Sequence, residues 1–238
     1  MFDWTKKTDN PDCAIGSDFY IEMLNFINSI RVFKKQKYHE FLKDSIKNKY
    51  VLDIGVVEHD ITHINRKGWL HKFVKDNSKY CVGVDNLCES VEILNKKGYK
   101  VYCMDATSDA YLGEKFDIVL LGNVIAHVNN PVNLIKFAKR HLKDGGEIII
   151  DTPNPYFYRH IKRNKREKTL ITNFEIVNQI TPALCNEIAR RAGVIFDKHI
   201  YFLSKKSIIR RFLQRKFPEK YTGGFVYIFK NKSKLSKI

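Results

Sequence analysis

Val51-Leu52-Asp53-Ile54-Gly55 and Val82-Gly83-Val84-Asp85 are the two stretches on which the fold turns. Each is a short apolar, β-branched run closed by a glycine or an acid, the pattern of a buried strand ending in a turn. A third such run, Lys100 to Met104, is closed by Asp105. Helical patterns fill the intervals: Trp69, His71 and Phe73 lie in one, and Glu89 to Lys97 forms another that stops at Gly98. Strands alternating with helices build a doubly wound parallel sheet, whose ligands sit at the carboxyl ends of the central strands.

The pattern continues outward. Asp117 to Leu121 is apolar after its first residue, as a central strand covered on both faces requires. Pro131 opens a helix to Leu142, and Asp144-Gly145-Gly146 turns into a strand from Glu147 to Ile150. Thr181 caps a helix with Pro182 at its first position, and that helix ends before Gly193. Strands near Ile195 to Phe202 and Phe225 to Phe229 complete the series. Before Tyr50 the pattern is helical: Ser17 and Asp18 cap a helix carrying Ile21, Leu24, Ile27 and Ile30, and a second runs near Tyr38 to Ile46.

The acids at the strand ends suggest chemistry. Gly55 lets the backbone approach a ligand closely, and Asp53 beside it can accept hydrogen bonds from a cationic or hydroxylated group. Asp85 suits a ribose diol, because one carboxylate accepts from both hydroxyls. Asp105 can accept from an adenine amino group. An aspartate also ends strands for purely local reasons, but three closing successive strands are harder to explain that way.

With Asp105-Ala106, Phe116-Asp117-Ile118-Val119-Leu120-Leu121-Gly122-Asn123-Val124-Ile125-Ala126-His127 and the Asp144-Gly145-Gly146 turn, the chain from Tyr50 to Pro155 resembles class I S-adenosylmethionine-dependent methyltransferases, in their small-molecule (type 11-like) branch. The resemblance implies an α/β fold: a Rossmann-like three-layer sandwich with a mostly parallel seven-stranded sheet, an antiparallel last strand and an N-terminal helical extension. Residues 1–49 would cap the acceptor site, 50–230 form the methyltransferase domain and 231–238 a basic tail. Asp53 and Gly55 would face the methionine part of the cofactor, Asp85 the ribose, Asp105 and Ala106 the adenine, with Asn86, Gly122 and Asn123 completing the site. Two departures stand out. Val57 occupies the place of a second glycine, which also argues against a dinucleotide needing GxGxxG. Ala126 occupies a place where relatives often carry Glu, and with Asn123 nearby no metal is expected.

Methyl transfer from a sulfonium needs alignment and, for a hydroxyl acceptor, a base. His127 follows the fourth strand, where this fold places the acceptor, and an imidazole suits that role; a structural histidine at a helix start is the alternative. His59, Asn154, Tyr156 and Arg159 are the candidate acceptor-binding residues. Asn154-Pro155-Tyr156-Phe157 differs from the amino-methyltransferase signature in position and in lacking a second proline, and reads as a strand-exit turn.

The chain has 238 residues and a formal net charge of +16. All of the excess lies in two segments, +5 from Arg159 to Lys168 and +11 from Lys198 to Ile238. That distribution favours a small anionic acceptor over a nucleic acid running across the whole protein. Ile208, Ile209, Phe212, Leu213 and Phe217 alternate with Arg210, Arg211, Arg215 and Lys216 as in an amphipathic helix. One face is expected to pack on the body, though the pattern also suits contact with an acidic membrane surface. The first residues lack an apolar signal core, and the five scattered cysteines read as reduced thiols, so a cytoplasmic location is expected. The expected function is a methyltransferase acting on a small anionic or phosphorylated metabolite by in-line displacement, O-methylation favoured, with a cell-surface polysaccharide precursor suggested by the resemblance. The alternatives are an RNA methyltransferase and a non-catalytic binding subunit of the same fold. Oligomeric state has no signal here.

Overall fold

Eight strands form one sheet: β1 (Arg31–Lys34), β2 (Tyr50–Ile54), β3 (Tyr80–Asp85), β4 (Val101–Cys103), β5 (Phe116–Gly122), β6 (Leu142–Pro153), β7 (Val194–Phe202) and β8 (Gly224–Asn231). The computed structural model describes residues 14–58, 61–169, 174–204 and 207–231. The strand order is β1-β7-β8-β6-β5-β2-β3-β4. Only β8 runs against its neighbours, pairing antiparallel with β6 and β7. From β2 the chain winds outward through β3 to β4, then returns to place β5 on the other side of β2. The winding therefore reverses between β2 and β5, and the gap at their carboxyl ends is where a sheet of this kind receives a ligand.

Alternation along the strands divides the core into two layers. Leu52, Ile54, Val119, Leu121, Ile148 and Ile150 point to one face, onto Leu134, Phe137 and Ala138 of α5 (Pro131–Arg140) and Ile188 and Ala192 of α7 (Pro182–Ala192). Val51, Ile118, Leu120 and Ile149 point to the other, onto Leu42 and Ile46 of α2 (Tyr38–Ile46) and Val74 of α3 (Leu70–Asn77). The helix signals work as read: Asn130 and Thr181 side chains accept N–H bonds from Asn133 and Leu184, each ahead of a proline at the first turn. Gly193 closes α7 with φ of 72°.

Three sequence expectations change. The segment before Tyr50 contains, besides α1 (Asp18–Ser29) and α2, the sheet strand β1, so the strand count is eight. Four residues with no polar–apolar alternation leave no pattern to read. Their pairing is non-local: β1 lies parallel to β7 with Arg31 opposite His199, and Phe33 stacks on Tyr201 with centroids 5.5 Å apart. Cys88, which opens α4 (Cys88–Lys96), and Cys103, which ends β4, are joined in a disulfide, so these two are not reduced thiols. Their Cα atoms are 5.0 Å apart because α4 packs back along β4, a proximity that sequence spacing does not reveal. Cys13 lies outside the described residues, as do residues 232–238 of the expected basic tail.

The third change concerns α8 (Ile208–Lys216), whose apolar side does not pack on the body. Ile208, Ile209 and Phe212 are 76%, 75% and 62% exposed, whereas Gln214 is buried. Gln214 Oε1 accepts the Ser204 N–H at 2.8 Å, and its Nε2 donates to the carbonyls of Phe202 and Tyr221. The loop ends beneath the helix need polar partners, and a glutamine meets that need where an isoleucine would not.

His199 of β7 carries the clearest pH signature. It is fully buried among Tyr201, Phe225 and Tyr227, and neither ring nitrogen has a hydrogen-bond partner. Burial, with help from the Arg31 charge, pushes its pKa from the usual 6.5 down to about 3. The unfolded chain therefore takes up a proton first as pH falls, so stability present above pH 6.5 is lost down to about pH 3. Chemical denaturation across this range should show a loss approaching about 1.4 kcal/mol per pH unit from this group. In His199→Phe that component should vanish; an unchanged slope would remove His199 as its source.

Candidate active site

A cavity of about 730 Å³ opens at the carboxyl ends of β2, β3, β5 and β6, lined among others by Gly55, Glu58, Asp85, Asn86, Gly122, Asn123 and Asp151. A narrower slot of about 90 Å³ shares Gly55, Asp85 and Asn86 with it and continues to Met104, Asp105, Ala106 and Thr107. Together they form an elongated cleft along the ends of β2, β3 and β4, shaped for a nucleoside with a side chain.

Asp85, at the end of β3, is 7% exposed. Its Oδ2 accepts the Val57 N–H at 2.9 Å and its Oδ1 the Leu87 N–H at 3.1 Å. A carboxylate has about four acceptor positions, so each oxygen retains capacity for a ribose hydroxyl. Asp105 Oδ1 accepts from both the N–H and the hydroxyl of Thr107 at 2.7 Å, which orients the group and leaves Oδ2 for an exocyclic amine. Gly55 has φ of +81°, and a Cβ there would stand 3.0 Å from Val124, so a side chain would be strained and would crowd Val124 beside the cleft. Asn123, at φ of 57°, adopts the left-handed turn that asparagine tolerates, and its N–H donates to the Asp151 carbonyl at 2.9 Å.

The departure at Val57 now has a physical account. Its side chain is fully buried with Val56, Ile64, Trp69, Val91, Leu94 and Val101, and its N–H ends on Asp85. The left-handed position falls instead on Glu58, with φ of 52°. The loop stays close to the ligand while an apolar anchor stands where relatives use glycine.

Other expected site residues are placed differently. Asp53 is 2% exposed and is not among the residues lining the cleft or its slot, its Oδ2 2.9 Å from Nδ1 of buried His71. That pair ties α3 to β2, and the Asp53 charge also acts on Tyr38, which lines the main cleft. Asn154 is fully buried; its Nδ2 donates to the carbonyls of Thr222 and Glu219 and its Oδ1 accepts the Tyr156 N–H. It borders a side pocket of about 160 Å³, yet these bonds hold the exit of β6 and leave it little capacity for a substrate. Tyr156 and Arg159 are exposed and line no described cavity, with the Arg159 guanidinium 5.9 Å from the centroid of Phe157. His59 lies outside the described residues. His127 borders both the cleft and the side pocket, with Nδ1 3.2 Å from the Glu175 carbonyl oxygen.

Two residues not singled out in the sequence stand where two cavities meet. Tyr38 and Asp151 line the main cleft and also a second cavity of about 420 Å³, which extends to Ser204, Arg210, Gln214 and Thr222. Burial pushes the Asp151 carboxyl up to about 6, and its side chain has no hydrogen-bond or ion-pair partner among the described residues. The Tyr38 hydroxyl is also unpartnered, and its pKa is raised by burial and by the nearby Asp151 charge. The signal was legible: in the sequence Asp151 follows an apolar run, Ile148 to Ile150, as Asp85 follows Val84, although β6 continues past it to Pro153.

Residues 27–217 match the methyltransferase-domain family. That match covers most of the chain. The protein belongs to this methyltransferase family, and S-adenosylmethionine is its cofactor. The structure is similar to a SAM-dependent methyltransferase from Archaeoglobus fulgidus, with a TM-score of 0.57 and 16% identity over 90% of this chain and 100% of that one. It is also similar to a SAM-dependent methyltransferase from Clostridium acetobutylicum, with a TM-score of 0.54 and 13% identity over 90% and 99% of the two chains. A putative methyltransferase complexed with the Trm112 activator of Haloferax volcanii has a TM-score of 0.55 and 14% identity over 91% and 94%. These likenesses show the fold. An uncharacterized protein of Methanocaldococcus jannaschii is 39% identical over 69 residues, 29% of this chain and about a third of that protein's length.

The residues fit the cofactor: a glycine at Gly55 where a Cβ would crowd Val124 beside the cleft, a carboxylate with spare acceptor capacity at Asp85, and a narrow slot lined by Asp105 and Ala106. Asp85→Ala should weaken S-adenosylmethionine binding, measured by calorimetry, by about ten- to a hundredfold, since bonds to a charged acceptor contribute about 1.5–3 kcal/mol. Asp53→Asn should leave that affinity within about twofold while lowering unfolding stability by about 1–3 kcal/mol. The opposite result would return Asp53 to the cofactor site and remove Asp85.

Proposed function

We propose that this methyltransferase acts on a small, anionic or phosphorylated metabolite and methylates a hydroxyl oxygen of it. The observation that carries the reading is the second cavity, which meets the cofactor cleft at Tyr38 and Asp151 and holds Arg210 in its wall. Arg210 supplies a permanent positive charge for a phosphate or carboxylate, and no carboxylate of the described residues pairs with it. Tyr38 comes from α2, which supports a role for residues 1–49 in capping the acceptor.

S-adenosylmethionine, when bound, supplies a methyl group on a sulfonium, and the displacement is in line. The chain's own residues then have two tasks: to hold the acceptor oxygen toward the cleft and to take its proton. We assign the proton to Asp151 ahead of His127. Asp151 is ionised at neutral pH, unpartnered, and stands on the wall that the two cavities share; His127 lies against the Glu175 carbonyl and is assigned an orienting role. The Tyr38 hydroxyl can donate to the acceptor oxygen or to an adjacent group. A cell-surface polysaccharide precursor fits this chemistry as one hydroxylated, anionic candidate, and we read the site of action as cytoplasmic. No helix among the described residues is long and apolar enough to cross a membrane.

Phosphorylated and carboxylated hydroxy-metabolites incubated with methyl-labelled cofactor should yield a labelled O-methyl product by mass spectrometry. With that acceptor, Asp151→Asn should lower kcat by about a hundredfold or more while leaving cofactor affinity within about twofold; His127→Gln should cost less than about tenfold. The wild-type rate should rise with pH through about 6 and then level, because the base works in its ionised form. Label appearing only in RNA would overturn the small-molecule reading, and a larger loss in His127→Gln would return the base role to His127.

A further inference from the structure

The outward surface of α8 remains unexplained by the methyl-transfer chemistry. Gln214 and Arg210 face inward, which turns Ile208, Ile209, Phe212 and Lys216 to the outside with Arg211 and Arg215 along one flank. Ile208 and Ile209 are each about three-quarters exposed, and Phe217 just beyond the helix is 47% exposed. The helix contains no acid, and no carboxylate among the described residues pairs with Arg211, Arg215, Lys216 or Lys220.

This surface extends through space to α6 (Tyr158–Glu167), the other basic segment. The Tyr158 ring lies 5.6 Å from that of Tyr221, in α9 (Pro218–Tyr221), and the Arg210 charge acts on Tyr158. On α6, Arg159, Lys162, Lys165 and Arg166 are exposed beside Ile161, itself 53% exposed. Two stretches distant in sequence thus form one neighbouring region with apolar side chains set among cations, of which Arg166 pairs with its neighbour Glu167 at 2.7 Å while those of α8 have no carboxylate partner among the described residues.

We propose that α8, flanked by α6, docks this protein on the surface of an anionic lipid bilayer. The apolar side chains would enter the boundary between headgroups and acyl chains while the surrounding cations meet lipid phosphates, an arrangement that requires both features together. Phosphate recognition on a nucleic acid would use the cations but leave two exposed isoleucines without a role. A second copy would bring one cationic face against another and repel. Docking concerns binding alone and is independent of which acceptor the second cavity takes.

Flotation of the full chain with phosphatidylcholine vesicles, and with vesicles containing about a third phosphatidylglycerol, tests this. Binding should be at least about tenfold tighter to the anionic vesicles and should weaken between about 0.1 and 0.5 M salt. A variant carrying Ile208→Ser, Ile209→Ser and Phe212→Ser should lose at least about tenfold of that binding. Its circular dichroism, melting and S-adenosylmethionine affinity should be unchanged, because the three side chains are exposed. Arg211→Glu with Arg215→Glu should abolish the preference for anionic lipid. Absence of vesicle binding, or full binding by the triple-serine variant, would overturn the proposal. So would loss of vesicle binding to an equal concentration of single-stranded RNA phosphate, or a wild-type dimer that the serine variant turns into a monomer.

Discussion

Two backbone N–H groups end on the carboxylate of Asp85, one from Val57 in the loop after β2 and one from Leu87 at the entrance to α4. These bonds tie together the exits of two adjacent strands and fix the shape of the cleft before any ligand arrives. The cost of burying this carboxylate is offset by the pair of N–H donors, and its remaining acceptor capacity is what a ribose can use. Because the loop is anchored through Asp85, Val57 can bury an apolar side chain without pulling the backbone away from the ligand.

Around this point the sheet keeps its polar and apolar duties separate. Alternating side chains of β2, β5 and β6 fill both helical layers, while the same strands end in groups facing the cleft. The place where the cleft meets the second cavity is less satisfied. Tyr38 and Asp151 stand there without partners, a costly arrangement in a folded chain and one that marks places prepared for a ligand.

Much of this was readable from local pattern. Strands closed by Asp85 and Asp105, a glycine after β2 and helices opened by Asn130-Pro131 and Thr181-Pro182 each depend on neighbours in the chain. What escaped depends on distant partners. Asp53 looks the same in sequence whether it faces a ligand or pairs with His71, and only the packing of α3 distinguishes the two. Asn154 likewise resembles a pocket residue until its bonds to Thr222 and Glu219 are seen. The amphipathic period of α8 was visible, but period alone does not say which side faces inward, and a single glutamine reverses the expected answer. The disulfide between Cys88 and Cys103 was hidden for a related reason: thiols 15 residues apart meet only once α4 folds back along β4.

The short strand β1 has a wider meaning for how the site is entered. It is hydrogen-bonded into the sheet between α1 and α2, with the His199 N–H donating to the Ile30 carbonyl and the Leu203 N–H to that of Lys34. A covering element on a flexible tether can swing away as a door does; one stitched into the sheet on the way to Tyr38 is part of the doorframe. Movement at the cleft then falls to side chains and to the segments bordering the cavity mouths, while Tyr38 is held at a fixed place relative to the sheet.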